Sequence, residues 1–251
     1  MSEFVKKVIA LIPARAGSKR VENKNILRVN GHPLIAYTIS AAIESGVFSY
    51  VYVSTDSETY AEIASHYGAR VDFLRPSEFA SDTSPDIDWV EFSLRELKKR
   101  GQSFDCFSIL RPTSPLRTAE TIRRAYLEFS SDASVDSLRA VELCVQHPAK
   151  MWKIFKNRLV PIMQRPDHGV DWFSSPTQSL PEIWVQNASL EFAHAVCVEK
   201  YRSISGNAIL PFKTNFPEGF DINRPEDVFR LNEILKSSPD LLPKVSKAPF
   251  D

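Results

Sequence analysis

Apolar positions in the first half of the chain alternate between two patterns. Val8–Pro13, Tyr50–Ser54, Arg70–Leu74 and Phe104–Leu110 are short, nearly unbroken apolar or β-rich runs, the length of buried strands. Between them, Leu34–Ser45, Ser57–Tyr67, Ile87–Lys99 and Ala119–Phe129 carry helical spacing. The punctuation agrees: Pro33 sits at the start of the first helix, Gly68 and Gly101 follow the second and third, and Thr118 stands where an N-cap belongs before the fourth. This strand–helix rhythm predicts an α/β fold with a mostly parallel sheet and helices on both faces. Ligands of such sheets collect beyond the carboxyl ends of the strands, so the loops after Pro13, Ser54, Leu74 and Leu110 are where chemistry is expected.

The rhythm stops near Val141. From about 143 to 189 the chain is rich in Pro, Trp, Gln and His, with short strand-like pieces such as Met151–Phe155. This predicts one domain over 1–251 with a smaller β-containing excursion, used for substrate contact or dimerisation. Phe192–Val198 and Ile209–Phe212 read as returning strands, and Pro225–Lys236 as a last helix entered through Asn223-Arg224-Pro225. The tail from Ser237 reads as frayed.

Charge narrows the partners. Lys+Arg and Asp+Glu both number 31 in 251 residues, a formal net charge of zero. A nucleic-acid or anionic-membrane binder ordinarily shows a basic excess, so any anion here is caught by a local cluster. Lys6-Lys7 and the apolar run to Ile12 are too short for a secretory leader and are interrupted by Pro13 and Arg15. No stretch is long enough to span a membrane. Cys106, Cys144 and Cys197 lie among apolar residues with no metal-knuckle spacing, which reads as reduced, buried thiols and a cytoplasmic address.

Three segments carry candidate chemistry. Pro13-Ala14-Arg15-Ala16-Gly17-Ser18-Lys19-Arg20, with Lys24-Asn25 beyond, follows the first strand. Gly17 allows a tight turn, and four cations (Arg15, Lys19, Arg20, Lys24) in one short loop suit a triphosphate. The loop lacks the G-x-x-x-x-G-K spacing of a Walker loop. On charge alone a solvated basic turn is the better reading, and its place after a parallel strand shifts the balance to phosphate. Leu110–Arg117 contains Pro112, Thr113, Ser114 and Pro115, a stiff wall for a base or sugar that also leads into the helix capped by Thr118. In Phe220-Asp221-Ile222-Asn223, Asp221 and Asn223 are two apart, so on an extended segment both oxygens face one way, as a Mg²⁺ ion with few protein ligands requires. From spacing alone Asn223 reads better as an N-cap for the helix after it, whereas Asp221 has no equally good structural role.

These segments together resemble the acylneuraminate cytidylyltransferase family, the CMP-sialic acid and CMP-nonulosonate synthetases. The first loop is similar to the family's signature. Val53-Ser54-Thr55-Asp56, Leu74-Arg75-Pro76, Ser81-Asp82-Thr83 and Pro112-Thr113-Ser114-Pro115-Leu116-Arg117 match further segments in family order, and Asp221-Ile222-Asn223 falls at its metal-binding D-x-D. The resemblance implies a Rossmann-like fold, CTP and an acidic sugar as substrates, Mg²⁺ as cofactor and a homodimer built through the excursion. It implies that Arg15 and Lys24 hold the CTP phosphates, Ser18 and Lys19 add loop contacts, and Asn25 sits near ribose and sugar. Arg75 with Ser81, Asp82 and Thr83 would bracket the cytosine, beside the wall of Pro112 and Thr113. Asp221 and Asn223 would hold Mg²⁺, and Lys150, Gln178 and Asn187 would face the sugar.

The sugar half departs from sialic acid enzymes. Arg111 stands in place of Gln, Asn223 of Asp, Thr177 of Arg, and Asn187-Ala188-Ser189 with Glu191 replaces N-G-A with a following tyrosine. These departures imply an altered acceptor such as legionaminic acid or another bacterial sugar acid, with Arg111 able to pair bidentately with its carboxylate. Two rival readings share the nucleotide half: a nucleotidyltransferase that charges a sugar phosphate, and a nucleotide-binding relative without turnover.

Overall fold

A computed structural model describes residues 6–18 and 20–250. They fall into two compact units, one of residues 1–140 with 187–251 and one over Val141–Gln186. In the first unit, β1 (Val8–Pro13) pairs in parallel with β4 (Tyr50–Ser54) and with β5 (Cys106–Ile109). The short strands β2 (Arg28–Val29) and β3 (His32–Pro33) form a separate hairpin between them in sequence. The six-stranded sheet is completed by β6 (Ser137–Leu143), β9 (Trp184–His194) and β10 (Ile209–Lys213), in the order β10-β6-β9-β5-β1-β4. β9 runs antiparallel to β5.

Alternate residues of β1 feed two cores. Val8, Ala10 and Ile12 pack with residues of α1 (Leu34–Ser45), α2 (Glu58–His66) and α4 (Ala119–Ser131), whereas Ile9 and Leu11 pack with Trp89, Val90 and Leu97 of α3 (Asp86–Lys99) and Val198 of α5 (Val196–Tyr201). A strand buried on both faces must be apolar throughout, which is why Val8–Ile12 shows no alternation. A third cluster joins Leu34, Tyr37, Leu116 and Ile222 to Leu231 and Leu235 of α6 (Pro225–Ser237). The fold is Rossmann-like α/β, as expected.

Several local readings change. Arg70–Leu74 is not a strand: only Arg70 bridges to Tyr52. Beyond it, hydroxyls of β4 take the polar groups instead, Tyr50 donating to Asp72 at 2.6 Å and Tyr52 to the Phe73 carbonyl at 3.2 Å. The run Phe192–Val198 divides, because the strand ends at His194 and Val196–Tyr201 turns into a helix that buries Cys197 and Val198. The tail after Ser237 is not frayed. Leu242 is buried, Val245 and Phe250 pack on the core, and the Phe250 amide donates to the Tyr67 hydroxyl at 3.1 Å. Cys106 and Cys197 are buried, while Cys144 is half-buried. No motif put a histidine near Cys106, yet the β5–β9 register sets His194 opposite it, Sγ to Nδ1 3.2 Å. Burial pushes the thiol up to about 11 and holds His194 below its ordinary value, so the pair stays neutral and unreactive.

In the second unit, β7 (Trp152–Phe155) and β8 (Arg158–Pro161) form an antiparallel hairpin. Its turn, Lys156-Asn157, has positive φ at both positions, the twist a two-residue hairpin loop needs. The Lys150 ammonium donates to the carbonyls of Phe173 (2.9 Å) and Ser175 (2.5 Å), and Trp152 packs on Phe173. Gln178 is exposed in a single 3₁₀ turn, Thr177–Ser179.

Candidate active site

Beyond the carboxyl ends of β1, β4 and β5 lies a cleft of about 370 Å³. That is within the usual size of small-ligand sites. Arg15, Ser18, Lys24, Asn25, Arg75, Ser81, Asp82, Arg111, Pro112, Thr113, Asp221 and Asn223 line it together. Lys19 lies outside the described residues. Thr83 and Asn187 are not in the lining: Thr83 pairs with Ser81, and the Asn187 amide donates to Thr214 at 2.8 Å and accepts from the Ser189 amide. Glu191 is buried behind Arg111. Lys150 and Gln178 belong to the second unit.

The first loop is pinned at its base. The Ala14 amide donates to the Ser54 carbonyl (2.9 Å) and the Ala16 amide to Asp56 (2.7 Å), so the chain leaves β1 against the end of β4. Gly17 then turns with φ +74, a left-handed value favourable to glycine. Arg15 reaches over to Asp82 at 2.5 Å, and Asn25, buried, donates to the Arg15 carbonyl at 3.1 Å. Lys24 starts a 3₁₀ turn and donates to the Ile222 carbonyl at 2.9 Å. Burial lowers the Lys24 ammonium below its ordinary value, with Asp221 pulling the other way. A partly desolvated ammonium in the cleft is placed to pair with a phosphate, while the carboxylate near it suits a cation.

Asp221 is the acidic end. The Ile222 amide donates to the Thr113 carbonyl at 2.9 Å, tying this segment to the Pro112–Thr113 wall. Asp221 Oδ2 accepts from the Asn223 side-chain amide at 2.6 Å, whereas its Oδ1 is buried and has no hydrogen-bond partner among the described residues. A carboxylate oxygen so placed suits a hard cation, and Mg²⁺ needs only one or two carboxylates besides phosphate and water. The residues present therefore fit Mg²⁺. No cluster of three His, Cys, Asp or Glu suited to a metal occurs among the described residues. Asn223 is not the cap of α6. The cap is Arg224, and Asp227 reaches back to accept from the Asn223 and Arg224 amides at 2.9 and 2.8 Å.

The opposite wall holds cations with their counter-charges. Arg75 is buried against the Trp89 ring (4.8 Å) and donates to Ser54 through Nε and Nη2; burial lowers it to about 10. Arg111 pairs with Asp86 (2.6 Å) and Glu191 (3.2 Å), so the free carboxylate clamp expected of it arrives already charge-balanced. Glu191 is also bound by Arg139 at 3.0 Å. Arg117 is wholly buried, donating to the carbonyls of Ser189 and Arg111 and to the Thr38 hydroxyl at 3.0 Å. It fastens the Leu110–Arg117 loop to α1 and β9. Sequence reasoning missed Asp86, Trp89 and Arg139. Asp86 follows Pro85 at the start of α3, where an acid reads as a helix-dipole partner.

A family model described as cytidylyltransferase matches residues 9–234. The chain is 46% identical over 119 residues to CMP-N,N'-diacetyllegionaminic acid synthase of Legionella pneumophila, covering 47% of this chain and 51% of that one. The chain thus spans about half the length of that relative. It is 30% identical over 243 residues to post-translational flagellin modification protein B of Campylobacter coli, covering 95% of this chain and 98% of that one. Among solved structures, CMP:2-keto-3-deoxy-manno-octonic acid synthetase complexed with CTP superposes with a TM-score of 0.67 at 12% identity, over 92% of this chain and 99% of the other. With the signature loop, the proline wall and Asp221 gathered at one cleft, the chain belongs to the cytidylyltransferase family.

Proposed function

We propose that this protein transfers CMP from CTP to the anomeric hydroxyl of an acidic nonulosonate, sialic acid-like or legionaminic acid-like, and releases pyrophosphate. The observation that carries the reading is the meeting of Arg15, Lys24 and Asp221 in one cleft, with the Asp221 Oδ1 atom buried and unpartnered. The similarity to a CMP-legionaminic acid synthase supports the choice of acceptor class.

In this reaction the anomeric oxygen attacks the α-phosphorus of CTP in line, its proton is lost, and the bond to the β-phosphate oxygen breaks. Arg15 and Lys24 bind the phosphates and neutralise charge on the leaving group. Asp221, with Asn223 directly or through water, would hold Mg²⁺, which supplies charge neutralisation at the phosphates when bound. Arg75 and the segment Ser81–Thr83 orient the base, the stiff Pro112–Thr113 wall fixes the ribose side, and Asn25 stands between nucleotide and sugar. Positioning supplies much of the rate, and no covalent intermediate is needed. A homodimer through the β7–β8 unit and a cytoplasmic location belong to the same reading. No helix among the described residues is long and apolar enough to cross a membrane.

The experiment is pyrophosphate release with CTP, ATP, GTP and UTP, each offered N-acetylneuraminic acid, legionaminic acid and a sugar 1-phosphate. Release restricted to CTP with a sugar acid is expected. Release with the sugar 1-phosphate instead, or equal release with all four nucleotides, overturns the assignment.

A further inference from the structure

The acceptor wall contains a cation with two unlike partners. Arg111 is held by Glu191, whose side chain is 5% exposed, and by Asp86, whose side chain is 31% exposed. Glu191 is locked in place by a second guanidinium, Arg139, and out of reach of water it has nowhere to go if Arg111 leaves it. Asp86 is differently placed. Its Oδ1 accepts from the Trp89 indole N–H at 2.8 Å and only distantly, at 3.5 Å, from Arg111, whereas the short contact to Arg111, 2.6 Å, is made through Oδ2. If Arg111 turns away, Oδ1 keeps the indole hydrogen bond and Oδ2 is left facing the cleft, so losing Arg111 costs this half-exposed carboxylate less than it would cost Glu191. Asp86, Trp89 and Arg111 all line the cleft, and Glu191 does not.

We propose that Asp86 is a displaceable counter-ion for Arg111: it holds the guanidinium in the empty cleft and gives way to the carboxylate of the acceptor sugar. This rests on the cytidylyltransferase reading above. Both partners are carboxylates, so the exchange leaves the charge on Arg111 balanced before and after binding. Glu191 stays as the fixed partner that aims the guanidinium. Such an exchange makes Asp86 a competitor of acidic acceptors, and makes its carboxylate a filter: an acceptor without a carboxylate has nothing to offer Arg111 in return. Burial works against ionisation of Asp86, but the Arg111 charge and hydrogen bonds outweigh it and hold the carboxyl below its ordinary value, so it is charged at neutral pH.

The test is steady-state pyrophosphate release by the wild-type chain, Asp86→Asn and Asp86→Glu, with saturating CTP and N-acetylneuraminic acid or legionaminic acid, whichever the wild type uses. Asp86→Asn keeps an oxygen for the Trp89 indole and removes the competing charge. Its KM for the acid is expected to fall about fivefold, the upper end for a partly exposed ion pair, with KM for CTP unchanged. Asp86→Glu, which retains the competing charge, should not show this fall in KM for the acid. The methyl ester of the same acid, compared as an inhibitor, should bind Asp86→Asn and wild type alike. A KM for the acid that is unchanged or raised in Asp86→Asn overturns the exchange while leaving the cytidylyltransferase reading intact. No release by the wild type with any acid overturns that reading and the exchange with it.

Discussion

The Lys24 ammonium donates to the Ile222 carbonyl at 2.9 Å, joining residues 198 apart and setting the cation of the first loop beside Asp221. The two opposite charges therefore flank the same space. That arrangement makes Lys24 a test of the phosphate role. Lys24→Ala is expected to lower kcat/KM for CTP by ~10²–10³, the range for loss of one preorganised donor. Its far-ultraviolet circular dichroism should match wild type, because among the described residues the ammonium makes a single hydrogen bond, to one carbonyl. Near-wild-type turnover would remove Lys24 from the chemistry.

The unpartnered oxygen of Asp221 makes a second prediction. Asp221→Asn should abolish turnover at every accessible Mg²⁺ concentration, since no carboxylate then remains at the pair. Asn223→Asp should lower the Mg²⁺ needed for half-maximal rate, because a carboxylate is a stronger ligand than an amide for a hard cation. Capping does not confuse the readout, since Asp227 and not Asn223 satisfies the free amides at the start of α6. An unmoved Mg²⁺ titration in Asn223→Asp would take Asn223 out of the metal site.

Arg117 predicts a stability effect without a direct catalytic one. Its guanidinium satisfies the Thr38 hydroxyl and the carbonyls of Ser189 and Arg111 in a site closed to water. Arg117→Met removes this donor from the Thr38 hydroxyl and the Ser189 carbonyl, leaves the Arg111 carbonyl with the Ser114 amide alone, and should lower unfolding free energy by ~3 kcal/mol, read from urea midpoints. A loss well under 1 kcal/mol would mean that the loop is held by other contacts.

The acid limb of stability should depend on His194. Burial, aided by Lys6 and opposed by Asp136 and Asp105, holds this histidine below its ordinary value of 6.5. The unfolded chain then binds the proton more readily than the folded one, so the contribution is present above pH 6.5 and is lost as pH falls below it towards the folded-state value. Urea midpoints measured from pH 7 down to pH 5 should decline less steeply in His194→Gln than in wild type. Equal slopes would place the acid sensitivity elsewhere.

Much of this protein is determined by its sequence alone. Val8–Pro13, Leu34–Ser45 and Tyr50–Ser54 are read at their observed bounds because helix and strand periodicities are local, set by residues within one or two turns of each other. The first loop and the proline wall are legible for the same reason: the fold places loops at strand ends, and the strands are legible. Arg70–Leu74 is misread because its β-rich run is a local signal, whereas pairing with β4 stops at the single Arg70–Tyr52 bridge and the chain beyond is held by side-chain contacts. Only tertiary structure decides the charge of the cleft wall around Arg111. Arg111 and Glu191 are 80 residues apart. They meet because β5 pairs with β9 in the register that sets Ile109 against Glu191, so a guanidinium two residues beyond Ile109 extends over the same face. Read alone, Arg111 is a free cation offered to a substrate. In the fold it is already neutralised, because a half-buried charge is stable only with its partner, and the partner's identity depends on strand register and not on any local pattern.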